Sequence, residues 1–260
     1  MTNPANRRRS RRCATRRAAL GAGAWALALG SVQAQGVEPL RVLVSSAWAM
    51  PLLDWREERV QGGIVPDLAQ AVAHRLGRSV HFVVMPRARM DAAALAGDAD
   101  LRCYVRPAWT STPEAYAWSG ELFPVANVIV GHAGVPAPQS LAELPARSVV
   151  GGTRGYRYPP LEAGFQAGTW LREDAVDQEK LLLKLSLRRH PYAVTDALTL
   201  GWFLRQSPHA ALAPWRLEVS QEPVHCAVPK AGRVDAARLL AAVEAVRRSG
   251  EVATILQRYR

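Results

Sequence analysis

The chain has 260 residues and a formal charge of +11 at pH 7, but seven of its arginines lie within the first 17 residues. Residues 1–34 contain no acidic residue, so the remaining 226 residues carry a formal charge of only +4. This modest charge argues against a nucleic-acid partner, because a basic surface is the electrostatic signature of nucleic-acid binding. The 226 residues are enough for one large domain or two small ones.

Residues 1–34 have the three-part pattern of a secretory signal peptide. Arginines form a positively charged start, an apolar run follows at 18–30, and the small residues of Ser31–Ala34 offer a cleavage site. The apolar run is too short to span a bilayer, which requires about 20 residues. We predict export to the periplasm by the Sec or the twin-arginine route, with cleavage after Ala34. A retained anchor or a basic nucleic-acid arm is the alternative.

After position 40 the sequence alternates between strand and helix patterns. Short apolar runs predict strands at 41–45, 80–85 and 101–105, and the segments 67–77 and 89–96 predict helices that end at glycine. Strands and helices in this alternation indicate βαβ units and a parallel sheet.

The rest of the chain is also a mixture of strands and helices. Strands are predicted at 125–130, 148–151, 192–194, 217–219 and 224–228. Helices are predicted at 140–144, 160–167, 178–187, 197–205, 234–249 and 251–259. The fold class is therefore α/β, and the chain closes with two amphipathic helices.

The sequence lacks the motifs of common enzymes and metal sites. It has no Cys-x-x-Cys or Cys/His cluster, no His-Glu-x-x-His, no Gly-x-Ser-x-Gly elbow and no P-loop. We therefore expect no metal, no cofactor and no catalysis. Only Cys103 and Cys226 follow residue 34, and they either pair in an oxidising compartment or are two small buried residues.

Several side chains follow predicted strands, where open α/β sheets bind ligands. Trp48, Arg87 and Asp196 are in such places, although Trp48 could instead pack in the core, Arg87 face solvent and Asp196 cap a helix. Thr153 and Arg154 belong to a glycine-rich turn, whose backbone N–H groups suit an anion. An ordinary turn is the alternative there.

Three further candidates share one face of the strand at 101–105. Arg102, Tyr104 and Arg106 alternate along the chain, so their side chains point the same way. An arginine on a face that is partly core needs a partner or a cleft. We therefore include all three among the expected ligand-binding residues.

Six short motifs occur in a specific order along the chain. They are Gly63–Ala69, Gly97–Asp100, Val149–Thr153, Tyr192–Asp196, His225–Lys230 and Ser249–Tyr259. Their order and spacing resemble the periplasmic substrate-binding proteins of polar amino-acid ABC transporters, the bacterial extracellular solute-binding protein family 3. The resemblance covers residues 38–260.

The resemblance implies a two-lobed periplasmic binding protein fold of type II, with a mostly parallel sheet in each lobe. Lobe one would comprise residues 35–123 and 223–260, and lobe two residues 124–222. Cys103 and Cys226 would lie on neighbouring strands, with Cα atoms within about 7 Å, the reach of a disulfide.

The resemblance also implies that Trp48 stacks on the ligand and that Asp196 takes a ligand ammonium. The family's carboxylate-binding arginine is missing, because the matching position holds Thr112 or Ala115. Arg102, Arg106 and Arg154 are the nearest substitutes.

The expected function is capture of a small polar ligand, amino-acid-like or another amine or carboxylate, between the two lobes. The protein would act as a monomer and deliver the ligand to an ABC permease in the inner membrane. Two alternatives remain open: a periplasmic dehydratase or lyase on the same fold, and a ligand-sensing partner of a membrane receptor.

Overall fold

A mixed sheet of nine strands runs through residues 37–260, the part of the chain that the computed structural model describes. The predicted signal peptide lies outside these residues. The strands are β1 Leu40–Ser45, β2 Asp54–Arg56, β3 Arg59–Gly62, β4 Val80–Met85, β5 Leu101–Val105, β6 Tyr116–Trp118, β7 Phe123–Gly131, β8 Val149–Thr153, β9 Leu171–Ala175, β10 Tyr192–Asp196 and β11 Leu217–Pro229. The helices are α1 Ile64–Arg75, α2 Met90–Leu95, α3 Pro159–Gln166, α4 Gln178–Ser186, α5 Ala197–Gln206, α6 Ala236–Arg248 and α7 Glu251–Arg258. Single 3₁₀ turns occur at Arg87–Arg89, Pro107–Trp109, Pro113–Ala115 and Leu141–Glu143.

The sheet contains two parallel groups joined by antiparallel strands. The strand order is β4-β1-β5-β11-β7-β10-β8-β9, with β6 also paired to β11, while β2 and β3 form a separate hairpin. Strand β1 is parallel to β4 and β5, and β8 is parallel to β9 and β10. Strand β11 is antiparallel to both β5 and β7. This confirms the predicted α/β class and its βαβ units.

Strand β11 differs from the prediction of two strands at 217–219 and 224–228. It runs without interruption through the polar stretch Ser220–Glu222, which stays paired to Asn127, Ala126 and Val125 of β7. The pattern of apolar residues is broken there because the residues are half-buried or exposed. Backbone pairing does not require apolar side chains, so the strand continues.

Helix α1 begins at Ile64, three residues before the predicted start. Ile64 and Val65 are buried, and Pro66 is tolerated in the first turn because an N–H group there has no intrahelical acceptor. Gly63 precedes the helix with a φ of 124°, and a Cβ at this position would lie 2.6 Å from the Leu52 carbonyl oxygen. A larger residue would therefore disturb the start of the helix.

Hydrophobic cores lie on both sides of the β11–β7 junction. In one, Val72 of α1 and Val243 of α6 pack with Val42 of β1. In another, Leu181 of α4 and Leu200 of α5 pack against the β7–β10 strands. No helix in residues 37–260 combines the length and apolar character that a membrane span requires.

The sequence analysis missed β2, β3, β6 and β9. Strand β9 contains three consecutive charged residues, Arg172–Asp174, and forms the edge of the sheet beside β8. Strands β2 and β6 have only three residues each. Such short or polar strands are stabilised by pairing with neighbouring strands, and their own sequences lack the apolar pattern that predicts a strand.

Cys103 of β5 and Cys226 of β11 form a disulfide, with their Cα atoms 3.9 Å apart. The two residues are direct partners in the antiparallel register. This confirms the expected proximity and selects the paired alternative. The bond closes a loop with a sequence separation of 123 residues.

We predict that removing this disulfide lowers the free energy of unfolding by about 4 kcal/mol, because the unfolded chain regains the entropy of a long loop. Urea unfolding of the exported protein, with and without reductant, measures the loss. The double variant Cys103→Ala/Cys226→Ala is the control, and its unfolding should not respond to reductant. Equal midpoints for wild type in both conditions would contradict the prediction.

Candidate functional site

A small cavity, which we call the inner cavity, lies among side chains at the carboxyl ends of parallel strands. It measures about 30 Å³. Its lining residues are Trp48, Arg87, Tyr104, Trp109, Asn127, Tyr156, Arg157, Tyr158, Gln178, Thr195 and Asp196. Four residues from the sequence analysis are among them: Trp48, Arg87, Tyr104 and Asp196. This position is the usual ligand site of open α/β sheets.

The negative charge of the inner cavity is Asp196, whose residue is 4% exposed. Its side chain caps α5, accepting hydrogen bonds from the Thr199 backbone N–H and hydroxyl at 2.8 Å each. The Gln178 side-chain amide donates a third hydrogen bond at 2.5 Å. Burial raises the pKa of Asp196, while these hydrogen bonds act in the opposite direction. Asp196 is thus both a helix cap and a cavity wall, and it forms no ion pair within residues 37–260.

Two arginines line the inner cavity: the half-buried Arg87, in the 3₁₀ turn that follows β4, and the exposed Arg157. One of the Arg87 guanidinium nitrogens, Nη2, donates a 2.6 Å hydrogen bond to the Trp109 carbonyl oxygen. Burial lowers the pKa of Arg87. No carboxylate in the described part of the chain lies within ion-pair distance of this guanidinium.

Three polar atoms at the inner cavity have no hydrogen-bond partner among the described residues. They are the Tyr104 hydroxyl, the Trp109 indole N–H and the Thr195 hydroxyl, all buried. Most buried polar groups in folded proteins are hydrogen-bonded, so each such group needs an explanation. A polar ligand in the cavity would supply the missing partners.

Tyr104 is held in a strained backbone conformation at this site. Its φ is 58°, which is rare for a bulky residue, and such strain is found preferentially at functional sites. The Tyr104 ring is edge-on to the Trp48 ring, with the two centroids 5.8 Å apart. The centroid of the Trp109 ring lies 6.0 Å from that of Tyr104. Burial raises the pKa of the Tyr104 hydroxyl well above its usual value, so the group remains a protonated donor at neutral pH.

Arg102 and Arg106 do not line the inner cavity. Arg102 is 1% exposed and donates 2.6 and 3.1 Å hydrogen bonds to Asp91 and the Tyr116 hydroxyl. Arg106 pairs with Glu222 of β11 and lies over the Trp109 ring, 4.3 Å from its centroid. Both arginines are therefore ion-paired within the described residues, although Arg102 Nη2 and Arg106 Nε have no hydrogen-bond partner there.

Thr153 and Arg154 also lie outside the cavity lining. The Thr153 backbone N–H donates to the Tyr158 hydroxyl at 3.0 Å, and its side chain is fully buried. Arg154 is exposed. The glycine-rich turn therefore orders the aromatic segment that follows it, instead of presenting its own side chains to the cavity.

Sequence reasoning missed several lining residues. Thr195 directly precedes Asp196, and Tyr156 and Tyr158 follow the glycine-rich turn, so position in the motifs could have indicated all three. Gln178 opens α4, where only its contact with Asp196 reveals a role. Within residues 37–260, no group of three metal-binding side chains is brought together.

No family model and no curated protein matches the sequence. Solved structures do match. An ancestral arginine-binding protein bound to arginine is similar at 21% identity and a TM-score of 0.72, with 85% of this chain and 97% of that chain covered. The arginine-, lysine-, histidine-binding protein ArtJ from Geobacillus stearothermophilus is similar at 16% identity and a TM-score of 0.66, with 85% and 94% covered.

A third similar structure is an ancestral amino-acid-binding protein that is a precursor of cyclohexadienyl dehydratase. It has 16% identity and a TM-score of 0.68, and the match covers 85% of this chain and 94% of that chain. Identities at this level establish the fold and not the ligand. The chain therefore has the α/β fold of the amino-acid-binding proteins that include ABC-transporter binding proteins.

Proposed function

We propose that this protein is a periplasmic solute-binding protein that holds a small ligand bearing both a positive and a negative group. The observation that carries the proposal is that charges of both signs line the inner cavity, from Asp196 and from the arginines Arg87 and Arg157. Asp196 and Arg87 both line it, and neither forms an ion pair within residues 37–260. Because a charge removed from water without a partner is costly, a ligand with the two opposite charges would stabilise both side chains.

We assign residues 35–123 and 223–260 to lobe one and residues 124–222 to lobe two. The strand order supports this assignment, because β4, β1 and β5 lie on one side of β11, while β7, β10, β8 and β9 lie on the other. The separate hydrophobic cores also support it. Strands β7 and β11 would then form the hinge between the lobes.

The size of the inner cavity implies motion during binding. A volume of about 30 Å³ accommodates roughly one water molecule and not an amino acid. Admission of an amino-acid-sized ligand requires the lobes to separate or the ring side chains to rotate. Hinge motion of this kind is the usual mechanism of periplasmic binding proteins.

A cationic amino acid is the ligand class that fits best. Two of the similar structures are named for arginine binding, and Asp196 would take the ligand's positive group. Arg87 would bind its carboxylate and so replace the arginine that is missing at Thr112 or Ala115, because a guanidinium can hold a carboxylate with two hydrogen bonds. Delivery to an ABC permease follows from the family resemblance.

Catalysis is the second candidate, because a dehydratase precursor shares the fold. Burial raises the pKa of Asp196, and a raised carboxyl pKa suits a proton-transfer group. Mass spectrometry of a bound ligand after incubation separates the two functions, since a binding protein returns its ligand unchanged. A sensing role would differ in the membrane partner and not in the site.

We predict that Asp196→Asn weakens binding of a cationic amino acid by about 2–5 kcal/mol, the range for breaking a buried charge pair. Calorimetry on the best ligand from a thermal-shift screen of amino acids and polyamines measures the effect. Asp235→Asn is the matched control, because Asp235 also caps a helix but lies outside the cavity. Equal losses of affinity in the two variants would show that capping, and not ligand contact, is responsible.

We predict that Arg87→Met removes the preference for a ligand carboxylate. Wild type should bind lysine at least tenfold more tightly than its decarboxylated form, cadaverine, a difference of about 1.4 kcal/mol. The variant should bind the two alike, while Arg89→Met, in the same turn but outside the cavity, should behave as wild type. An undiminished preference in Arg87→Met would assign the carboxylate to another residue.

We predict that binding of a cationic ligand weakens as the pH falls, because protons compete with the ligand for Asp196. Burial raises the pKa of Asp196, so the loss should begin above the pH at which an exposed aspartate titrates, which is about 3.9. Affinity should be constant at higher pH. Calorimetry across the acidic range tests this, and an Asp196→Asn variant with the same pH profile as wild type would refute it.

A further inference from the structure

A second and larger cavity lies next to the inner one, and Trp48 lines both. We call it the outer cavity. It measures about 430 Å³, and its walls come from seven residues between positions 48 and 56 and from seven residues of α4, α5 and the turn after α5. We propose that the outer cavity is a separate binding site for an organic cation, such as an alkylated ammonium or guanidinium group.

Aromatic rings form much of the outer cavity. Trp55 of β2 and the adjacent Trp202 and Phe203 of α5 are half-buried, and Trp48 is 7% exposed. The face of an aromatic ring carries negative electrostatic potential and attracts cations, most strongly for tryptophan. Trp202 already attracts one, because the Arg205 guanidinium carbon lies 5.4 Å from its ring centroid. Arg205 itself is not part of the lining.

Two carboxylates accompany these rings. Glu179 of α4 is exposed and forms neither an ion pair nor a side-chain hydrogen bond within residues 37–260. The neighbouring Lys180 is engaged by Asp177 at 2.9 Å, so it does not neutralise Glu179 directly. The carboxylate of Glu179 is therefore available to a cation in the cavity.

Asp54 is the second carboxylate, and it forms an ion pair with Arg56. Arg56 donates to its two oxygens at 2.6 and 2.5 Å, although the Arg56 side chain is 74% exposed. An ion pair with so exposed a partner is weak and can exchange with a ligand cation. Asp54, Glu179 and Arg56 together give the lining a formal charge of −1, which favours a cation over an anion.

The outer cavity lies between the same two lobes as the inner one, but its charged residues differ from those of the inner cavity. Asp196 and Arg87 line only the inner cavity, whereas Glu179, Trp55 and Trp202 line only the outer one. Only Trp48 is shared. The two sites can therefore be tested by separate substitutions.

The test compares choline with 3,3-dimethylbutan-1-ol, an uncharged molecule of the same shape, by calorimetry on the exported protein. We expect saturable binding of choline at least tenfold tighter than that of the alcohol. Trp202→Leu and Glu179→Gln should each weaken choline binding fivefold or more. Asp196→Asn should leave choline binding unchanged, because asparagine also caps helices and so keeps Thr199 and α5 in place at the outer cavity.

Glu114→Gln is the control for Glu179→Gln, because Glu114 is also exposed, lies in the single 3₁₀ turn Pro113–Ala115 and is outside both cavities. It should bind choline as wild type does. Thermal unfolding of each variant checks that it is folded. If Trp202→Leu does not fold, Glu179→Gln still tests the outer site.

Equal binding of choline and the alcohol, or no saturable binding, would overturn the outer site. So would a Glu179→Gln variant that binds like wild type. If Asp196→Asn alone abolished choline binding, the cation would occupy the inner cavity. That result would refute the outer site and leave the proposed function intact.

Discussion

The burial of Asp196 without an ion-pair partner in residues 37–260 is the constraint on which the site depends. Removing a carboxylate from water is costly, and the protein offsets part of this cost with hydrogen bonds from Thr199 and Gln178. These donors fix the first turns of α5 and α4 beside the cavity. The hydrogen bonds do not supply an opposite charge to the Asp196 carboxylate, and a ligand cation would supply it.

The sheet topology brings the opposite charge to the same place. Arg87 follows β4 and Asp196 ends β10, which belong to parallel groups on different sides of the β11–β7 junction. The Cys103–Cys226 disulfide fastens β5 to β11 at this junction. The next residue after Cys103 is Tyr104, whose φ is 58° and whose side chain lines the cavity. The Cys103–Cys226 disulfide is thus next in sequence to Tyr104, which forms part of the wall of the inner cavity.

The outcome for individual residues shows how far sequence reasoning reaches. Local patterns predicted the alternation of strands and helices, since apolar periodicity and glycine breaks are properties of short segments. They also placed Asp196 between a strand and a helix. The same reasoning left open whether Asp196 was a cap or a site residue, and the structure shows that it caps α5 and lines the cavity.

The arginines show where sequence reasoning ends. Arg102 and Arg106 alternate on one strand, but their partners Asp91 and Glu222 come from α2 and β11. Glu222 lies 116 residues further along the chain. Charge pairing over such distances depends on the tertiary arrangement. For the same reason, the sequence could not show that Arg87 forms no ion pair within residues 37–260.

A crystal structure of the protein with the best ligand from an amino-acid and polyamine screen tests the central claim most directly. We expect a ligand nitrogen within hydrogen-bond distance of Asp196, about 2.7–3.2 Å, and a ligand carboxylate paired with Arg87. We also expect ligand atoms hydrogen-bonded to the Tyr104 hydroxyl or the Trp109 indole N–H. A ligand bound in the structure with no contact to Asp196 or Arg87 would contradict the account.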